Sequence, residues 1–132
     1  MDHEVFFYGL FMDVARLRAK GLHPDRPRVG WVDDTRLIIG ARAALVPETG
    51  ARTYGVVASL PVDEVRDLYT EESLRDYVPE PVVVRFDDGS SQTAVCYNVP
   101  RDKAGTPDLA YVARLRDAAR RAGLPDDYVA AI

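Results

Sequence analysis

Residues 29 to 60 carry strand-like sequence almost without interruption, and this stretch limits the folds that are open to the chain. Apolar and β-branched residues dominate four segments: Val29–Val32, Arg36–Ile39, Ala43–Val46 and Thr53–Leu60. The turn-forming sequence Pro47-Glu48-Thr49-Gly50 separates the last two segments and predicts a hairpin between them. The middle of the chain therefore predicts a sheet with mainly antiparallel neighbours.

The sequence before this stretch predicts one strand and one helix. The apolar run Val5-Phe6-Phe7-Tyr8 is typical of a short buried strand, and Gly9 ends it. Apolar residues recur at helical spacing between Met12 and Lys20, and Gly21 suits the end of a helix. A buried strand therefore runs through a glycine into a helix.

The sequence after this stretch predicts a helix and a hairpin. Pro61 can occupy the first position of a helix that ends near Thr70. The apolar segments Val82–Phe86 and Thr93–Val99 flank Asp87-Asp88-Gly89-Ser90, and an Asp-Gly pair between two such segments is a strong hairpin signal.

A last helix is predicted to begin at Thr106-Pro107-Asp108, with an N-cap followed by proline, and to end near Ala122. Strands and helices then follow one another without a regular strand–helix–strand repeat. This order predicts an α+β fold with a mixed, mostly antiparallel sheet that can close into a small barrel. With 132 residues, the chain is expected to be a single domain, residues 1–132.

Charge and composition exclude several classes of protein. The net charge of −4 argues against a nucleic-acid binder, which normally carries a basic surplus. No stretch approaches the ~20 apolar residues of a membrane helix, and the N-terminal sequence lacks the basic and apolar regions of a secretion signal. With one cysteine, an internal disulfide cannot form. We expect a cytoplasmic protein that binds neither nucleic acid nor membrane.

Few residues are available for metal or nucleophilic chemistry. His3 and His23 both lie near the N-terminus, and Cys96 lies in an apolar strand. A zinc site or a cysteine–histidine dyad is therefore not expected, and neither a metal nor a cofactor is predicted. Any chemistry is left mainly to carboxylates, tyrosines and backbone groups.

Two segments are candidate sites. In Tyr8-Gly9-Leu10-Phe11-Met12-Asp13, the strand–glycine–helix transition directs free backbone N–H groups toward one point, which can hold a carboxylate or an oxyanion. The alternative is an ordinary strand–helix turn. In Glu71-Glu72, with Tyr77 close behind, an inward carboxylate would have a raised pKa suited to a general base. The alternative is a solvated helix end.

The ordered motifs resemble the γ-glutamylcyclotransferase-like superfamily, which includes the plant AIG2-like proteins. Phe6-Phe7-Tyr8-Gly9-Leu10-Phe11-Met12 resembles the family's opening strand and Tyr-Gly turn. Tyr54-Gly55-Val56-Val57-Ala58-Ser59-Leu60 resembles a central strand that carries a glycine at this place. Leu68-Tyr69-Thr70-Glu71-Glu72-Ser73 is similar to a Leu-Asp-x-x-Glu-Gly pattern, and Tyr77 follows it as a tyrosine does in the family.

This resemblance implies a small mixed, mostly antiparallel β-barrel with flanking helices. It also implies an enzyme that cyclises a small γ-glutamyl compound to 5-oxoproline and releases an amine or amino acid. By the same resemblance Glu72 is the catalytic acid/base and Tyr77 lines the pocket. The resemblance also implies a substrate loop, which consists of Tyr8, Gly9, Leu10, Phe11, Met12 and Asp13. We expect a monomer or a weak homodimer.

The chain departs from the family pattern at three places. Leu10-Phe11 replaces residues with hydrogen-bonding side chains, Tyr69 replaces an aspartate and Ser73 replaces a glycine. The last two changes leave open whether Glu71 or Glu72 is the inward carboxylate. A non-catalytic module that binds or senses a small ligand on the same fold is the alternative function. The cation for a substrate carboxylate is also open, with Arg16, Arg36 and Arg42 as candidates.

Overall fold

A closed barrel of five strands forms the centre of the computed structural model, which describes residues 2–71, 74 and 76–132. Around the barrel the strand order is β1-β3-β2-β4-β5. The strands are β1 (Asp2–Phe7), β2 (Asp25–Ile39), β3 (Ala43–Pro61), β4 (Val78–Arg85) and β5 (Ser91–Asn98). The predicted α+β class with a small mixed barrel is confirmed.

Helices connect and flank the strands. In the described part of the chain the α-helices are α1 (Val14–Ala19), α2 (Val62–Leu68), α3 (Leu109–Ala122) and α4 (Asp126–Ala131), and two short 3₁₀ helices span Leu10–Met12 and Arg101–Lys103. No helix within the described ranges has the length and apolar character needed to cross a membrane.

Strand β1 closes the barrel. It pairs antiparallel with β3 from Asp2↔Pro61 to Phe7↔Val56, and it pairs parallel with β5 at Val5↔Val95. Neighbours on both sides leave the second half of β1 buried, which is why its sequence is continuously apolar rather than alternating. The parallel β1–β5 contact makes the otherwise antiparallel barrel mixed.

The β2–β4 seam, defined as the contact between those two strands, has little backbone pairing. Trp31↔Arg85 is the one paired position found there among the described residues. At the same point Gly30 lets the strands approach closely, because a Cβ on Gly30 would lie 2.6 Å from Val84 Cγ1 and 2.8 Å from the Arg85 carbonyl oxygen.

The prediction of a hairpin at Pro47–Gly50 is wrong. The hairpin turn lies at residues 40–42, since Ile39 pairs with Ala43 and the register continues to Thr35↔Pro47. Residues 48–51 instead form an irregularity inside β3, opposite Asp34, whose Oδ1 accepts a hydrogen bond of 3.0 Å from the Gly50 amide. A turn signal therefore predicts the local bend but not which strands pair around it.

The other local predictions differ from the structure mainly at helix ends. The β4–β5 hairpin with Gly89 in its turn is confirmed. The last long helix begins later than predicted, because Asp108 rather than Thr106 is the N-cap, accepting a 2.9 Å hydrogen bond from the Ala110 amide. Helix α4 has no counterpart among the predicted helices.

Gly55 permits the closest approach of β1 to β3. A Cβ at this position would lie 2.3 Å from the Phe7 carbonyl oxygen and 2.8 Å from the Phe6 ring, whereas real Cβ atoms do not come so close to such atoms. Phe6 is almost fully buried in the core, so neither the ring nor the strand can move away easily.

We expect Gly55→Ala to lower the free energy of unfolding by about 1–3 kcal/mol, the usual effect of forcing extra volume into a packed core. Urea denaturation would measure the change. Gly9→Ala is the matched control, because a Cβ on Gly9 meets its nearest neighbours at ordinary distances of 3.6 and 3.8 Å. Equal stability of the two variants would contradict the importance of the Gly55 contact.

Candidate functional site

A cavity of about 620 Å³ lies beside the end of β1, between α1 and the segment that follows α2. Residues from several distant parts of the chain form its wall. The described residues that line it are Phe6, Phe7, Tyr8, Gly9, Leu10, Phe11, Arg16, Ala19, Lys20, Ala41, Arg42, Ala43, Tyr69, Glu71, Leu74, Tyr77, Tyr97 and Tyr111. The wall is thus rich in aromatic and cationic side chains.

Tyr8 anchors the start of the loop that leaves β1. Its hydroxyl lies 3.0 Å from the Tyr97 carbonyl oxygen and 3.1 Å from Asn98 Oδ1, so it donates its hydrogen bond to the end of β5. Asn98 in turn pairs with the main chain of Leu45, accepting from its amide at 2.9 Å and donating to its carbonyl at 3.0 Å. One short polar chain therefore links β1, β5 and β3 beside the cavity.

The 3₁₀ turn after Gly9 contains two backbone amides for which the described residues provide no acceptor. The Met12 amide donates to the Gly9 carbonyl at 3.1 Å and the Asp13 amide donates to the Leu10 carbonyl at 3.3 Å. The amides of Leu10 and Phe11 come before the first of these hydrogen bonds, as the first amides of any helix do. No acceptor for either amide is found among the described residues. Both residues line the cavity.

Met12 and Asp13 lie outside the wall of this cavity. Met12 is buried in the core, and Asp13 is the N-cap of α1, where its carboxylate accepts a 3.3 Å hydrogen bond from the Ala15 amide. Asp13 also lies 3.8 Å from Arg121. Both residues border a separate, smaller cavity of about 220 Å³. Of the predicted substrate loop, Tyr8 to Phe11 therefore reach the larger cavity.

The acidic pair is described only in part. Glu71 lines the cavity, and its two carboxylate oxygens accept hydrogen bonds of 2.9 and 3.2 Å from Lys20 Nζ. Glu72 lies outside the described residues, so its role as the catalytic acid/base stays a prediction. Lys20, at the end of α1, was not identified from the sequence, because a surface lysine after a helix carries no signal of its distant partner.

Two of the three candidate arginines reach the cavity. Arg16 and Arg42 line it, whereas Arg36 forms a 3.0 Å ion pair with Glu48 at the irregularity in β3. Arg42 is held by Asp76 at 3.1 Å. Of the three arginines, those on α1 and on the β2–β3 turn therefore reach the cavity.

Among the described residues five tyrosines line the cavity: Tyr8, Tyr69, Tyr77, Tyr97 and Tyr111. Tyr69 and Tyr97 stack with ring centroids 3.8 Å apart and planes 7° apart, and the Tyr77 hydroxyl donates a 2.8 Å hydrogen bond to the Ala43 carbonyl. Tyr8, after the end of β1, was predicted as a substrate-loop residue and Tyr77 as a pocket residue. The other three tyrosines come from α3, β5 and the end of α2, and only tertiary packing brings them to the cavity.

Burial keeps these hydroxyls and the nearby thiol protonated. It raises the pKa of Tyr8, Tyr69 and Tyr77 well above the usual range, so each is a neutral hydrogen-bond partner at physiological pH. Burial also raises the pKa of the Cys96 thiol, which argues against a thiolate nucleophile. Within the described residues no group of three or more His, Cys, Asp or Glu side chains could hold a metal ion.

Both the sequence and the structure of the chain are similar to those of known proteins. A sequence model of the AIG2-like family matches residues 52–132. No functionally curated protein matches the chain. Among solved structures, one described as gamma-glutamyl cyclotransferase matches with a TM-score of 0.82 and 18% identity, over 99% of this chain and 86% of that chain.

Two further structures share the fold. The uncharacterized protein loc79017 from Homo sapiens matches with a TM-score of 0.81 and 20% identity, over 98% of this chain and 85% of that chain. The protein At5g39720.1 from Arabidopsis thaliana matches with a TM-score of 0.61 and 19% identity, over 88% of this chain and 83% of that chain. Such similarity establishes a common barrel, and the fold predicted by resemblance is confirmed.

The buried tyrosines predict an alkaline limit to stability. Six of the seven tyrosines have a raised pKa in the folded chain, including Tyr128 at about 12, whereas unfolded tyrosines ionise near pH ~10. Above that pH the unfolded chain binds fewer protons than the folded chain, so the free energy of unfolding falls as the pH rises.

We therefore expect most of the tyrosinate absorbance to appear cooperatively, together with the loss of circular dichroism, when the protein is titrated to alkaline pH. The same titration in denaturant is the control and should give ordinary tyrosine ionisation. Gradual ionisation of most tyrosines in the folded protein would contradict the burial described here.

Proposed function

The chain belongs to the AIG2-like family, and from that membership we propose that it is an enzyme that cyclises a γ-glutamyl compound to 5-oxoproline, releasing an amine or amino acid. The observation that carries the proposal is the cavity itself. Its wall combines two backbone amides, at Leu10 and Phe11, for which no acceptor is found in the described part of the chain, with Glu71, the residue before Glu72.

The reaction needs neither a metal nor an external reactant. The α-amino nitrogen of the γ-glutamyl group attacks its own γ-carbonyl carbon and forms the C–N bond of the lactam. The bond between that carbon and the leaving nitrogen then breaks. The attacking ammonium loses two protons on its way to the lactam nitrogen: one is passed to the leaving nitrogen and the other goes to water. The products are 5-oxoproline and an amine, which takes up one proton from water, so that protons and charge balance.

Glu72 is the proposed proton carrier. The α-amine is an ammonium ion at neutral pH and cannot attack until it loses a proton, and a carboxylate with a raised pKa can take that proton and pass it to the leaving nitrogen. Such general acid–base catalysis contributes roughly 10²- to 10⁴-fold to a rate. Glu71 is the second candidate, but its carboxylate is already engaged in an ion pair with Lys20.

The Leu10 and Phe11 amides are the proposed oxyanion donors. Attack on the γ-carbonyl places negative charge on its oxygen, and N–H groups that have no other acceptor are available to stabilise that charge. Removing one such donor elsewhere costs about 2.7–4 kcal/mol of transition-state stabilisation. Because the donors are backbone groups, the apolar side chains at positions 10 and 11 do not remove them.

The shape of the cavity supports the intramolecular step. The substrate must fold so that its amine faces its γ-carbonyl, and a cavity walled by stacked tyrosines and the Leu10-Phe11 turn can hold such a compact conformer. Well-oriented internal reactions reach effective molarities of ~10⁵ M or more, so positioning alone supplies much of the acceleration.

A ligand-binding module without turnover is the second candidate. It is favoured by the Lys20–Glu71 ion pair, which neutralises the one carboxylate found in the described wall of the cavity. Both functions predict binding of γ-glutamyl compounds, and only the enzyme releases 5-oxoproline from them.

We expect Glu72→Gln to lower the rate of 5-oxoproline release from γ-glutamyl dipeptides or γ-glutamylamines by about 10²- to 10⁴-fold, because the amide cannot carry the proton. Glu71→Gln is the matched control, since it removes the neighbouring carboxylate. It should reduce the rate far less. Chromatographic measurement of 5-oxoproline, with thermal unfolding to confirm intact folding, checks both.

A larger loss for Glu71→Gln than for Glu72→Gln would assign the proton transfer to Glu71 instead. If the wild-type protein binds γ-glutamyl compounds but releases no 5-oxoproline from any of them, the enzyme proposal is wrong and the binding module is supported.

A further inference from the structure

One face of α1 borders the cavity. Arg16, Ala19 and Lys20 line it, and their spacing of three and four residues places them on the same side of the helix. Arg18 lies on the exposed side of the same helix and does not reach the cavity. The two arginines of α1 are therefore in different environments although only one residue separates them.

The three cations of the described cavity wall differ in their partners. Lys20 is bound to Glu71 at 2.9 Å, and Arg42 is bound to Asp76 at 3.1 Å. Arg16 is half-buried, and no carboxylate among the described residues lies within ion-pair distance of it. A half-buried guanidinium without a counter-ion is a ready binding site for an anion, because an arginine can donate two parallel hydrogen bonds to a carboxylate.

Tyr111 places a hydroxyl in the same part of the cavity. It lies in the first turn of α3, and its hydroxyl is 3.8 Å from the position of a Cβ built on Gly9, so it faces the start of the 3₁₀ turn. Burial raises the pKa of Tyr111, an effect opposed by the Ala43 backbone and by the charges of Arg114 and Arg16. The neutral hydroxyl can therefore donate to an anion held by Arg16.

From these observations we propose that Arg16, with the hydroxyl of Tyr111, binds the α-carboxylate of the γ-glutamyl group. The proposal rests on the proposed function for the identity of the ligand, whereas the site itself is defined by the cavity and by the absence, among the residues the structure describes, of a counter-ion for Arg16. Every γ-glutamyl compound carries this carboxylate next to the attacking amine, so fixing it also fixes the nucleophile.

The apolar turn explains why an arginine is needed for this task. Leu10 and Phe11 offer no side-chain donors, and their amides are assigned to the oxygen of the γ-carbonyl. The substrate carboxylate must therefore find its partner elsewhere on the wall. Arg42 is the competing cation, but binding the substrate would require it to share or give up Asp76.

Binding of the product tests the site without requiring turnover. We expect 5-oxoproline to bind the wild-type protein more tightly than 2-pyrrolidinone, which is the same lactam without the carboxylate, in an NMR titration. Arg16→Gln should weaken 5-oxoproline binding by about 10- to 100-fold, the usual effect of losing a charged hydrogen bond, and leave 2-pyrrolidinone unchanged. Arg18→Gln, on the same helix, is the matched control and should change neither. Thermal unfolding verifies that each variant is folded.

Turnover gives an independent comparison. Arg16→Gln should lower kcat/KM for a γ-glutamyl amide but not for the corresponding 4-aminobutyramide, which has hydrogen in place of the α-carboxylate and cyclises to 2-pyrrolidinone. Tyr111→Phe should show the same selectivity with a smaller loss.

The outcomes separate the two proposals. Arg16-dependent binding of 5-oxoproline by a protein without turnover supports the carboxylate site and rejects the enzyme. Turnover with equal losses for both substrates, equal binding of the two lactams, or a selective loss in Arg42→Gln instead of Arg16→Gln overturns the carboxylate site.

Discussion

The contact of β1 with Gly55 is the constraint on which the barrel depends. A five-stranded barrel has little interior volume, and here the buried Phe6 ring and the Phe7 carbonyl oxygen both lie close to the glycine of β3. A Cβ at position 55 would lie only 2.3 Å from the Phe7 carbonyl oxygen, so a side chain there would strain the contact between β3 and β1. Because β1 also pairs with β5, the closure of the barrel is favoured by a residue without a side chain on β3.

The geometry of the cavity also depends on β1. Where β1 ends, the Tyr8 hydroxyl is tied to the end of β5, and Asn98 of β5 pairs with the Leu45 main chain of β3. The Leu10 and Phe11 amides follow within three residues of that anchor, so their direction is set by packing in the barrel rather than by the turn alone. A site built on rigid strand ends can hold reacting groups more precisely than one carried by a free loop.

Local sequence signals predicted those parts of the structure that depend on local interactions. The buried run of β1, its end at Gly9 and the β4–β5 hairpin follow from apolar patterning and turn residues within a few positions. The bulge in β3 carries the same turn signal as a hairpin, and only the long-range register tells the two apart. Tyr111 reaches the cavity through the packing of α3, and Lys20 forms an ion pair with Glu71, which lies 51 residues away in the chain. No local sequence pattern predicts either contact.

The β2–β4 seam has a consequence for association between copies of the chain. With so little pairing to β2, most of β4 presents a sheet edge, and exposed valines such as Val78 and Val83 lie on it. Pro79 and Pro81 alternate along this edge, and proline in a sheet is tolerated only where its nitrogen faces away from the partner strand. The outward edge therefore lacks donors at alternate positions, which disfavours pairing with a strand from a second molecule and so disfavours edge-to-edge aggregation.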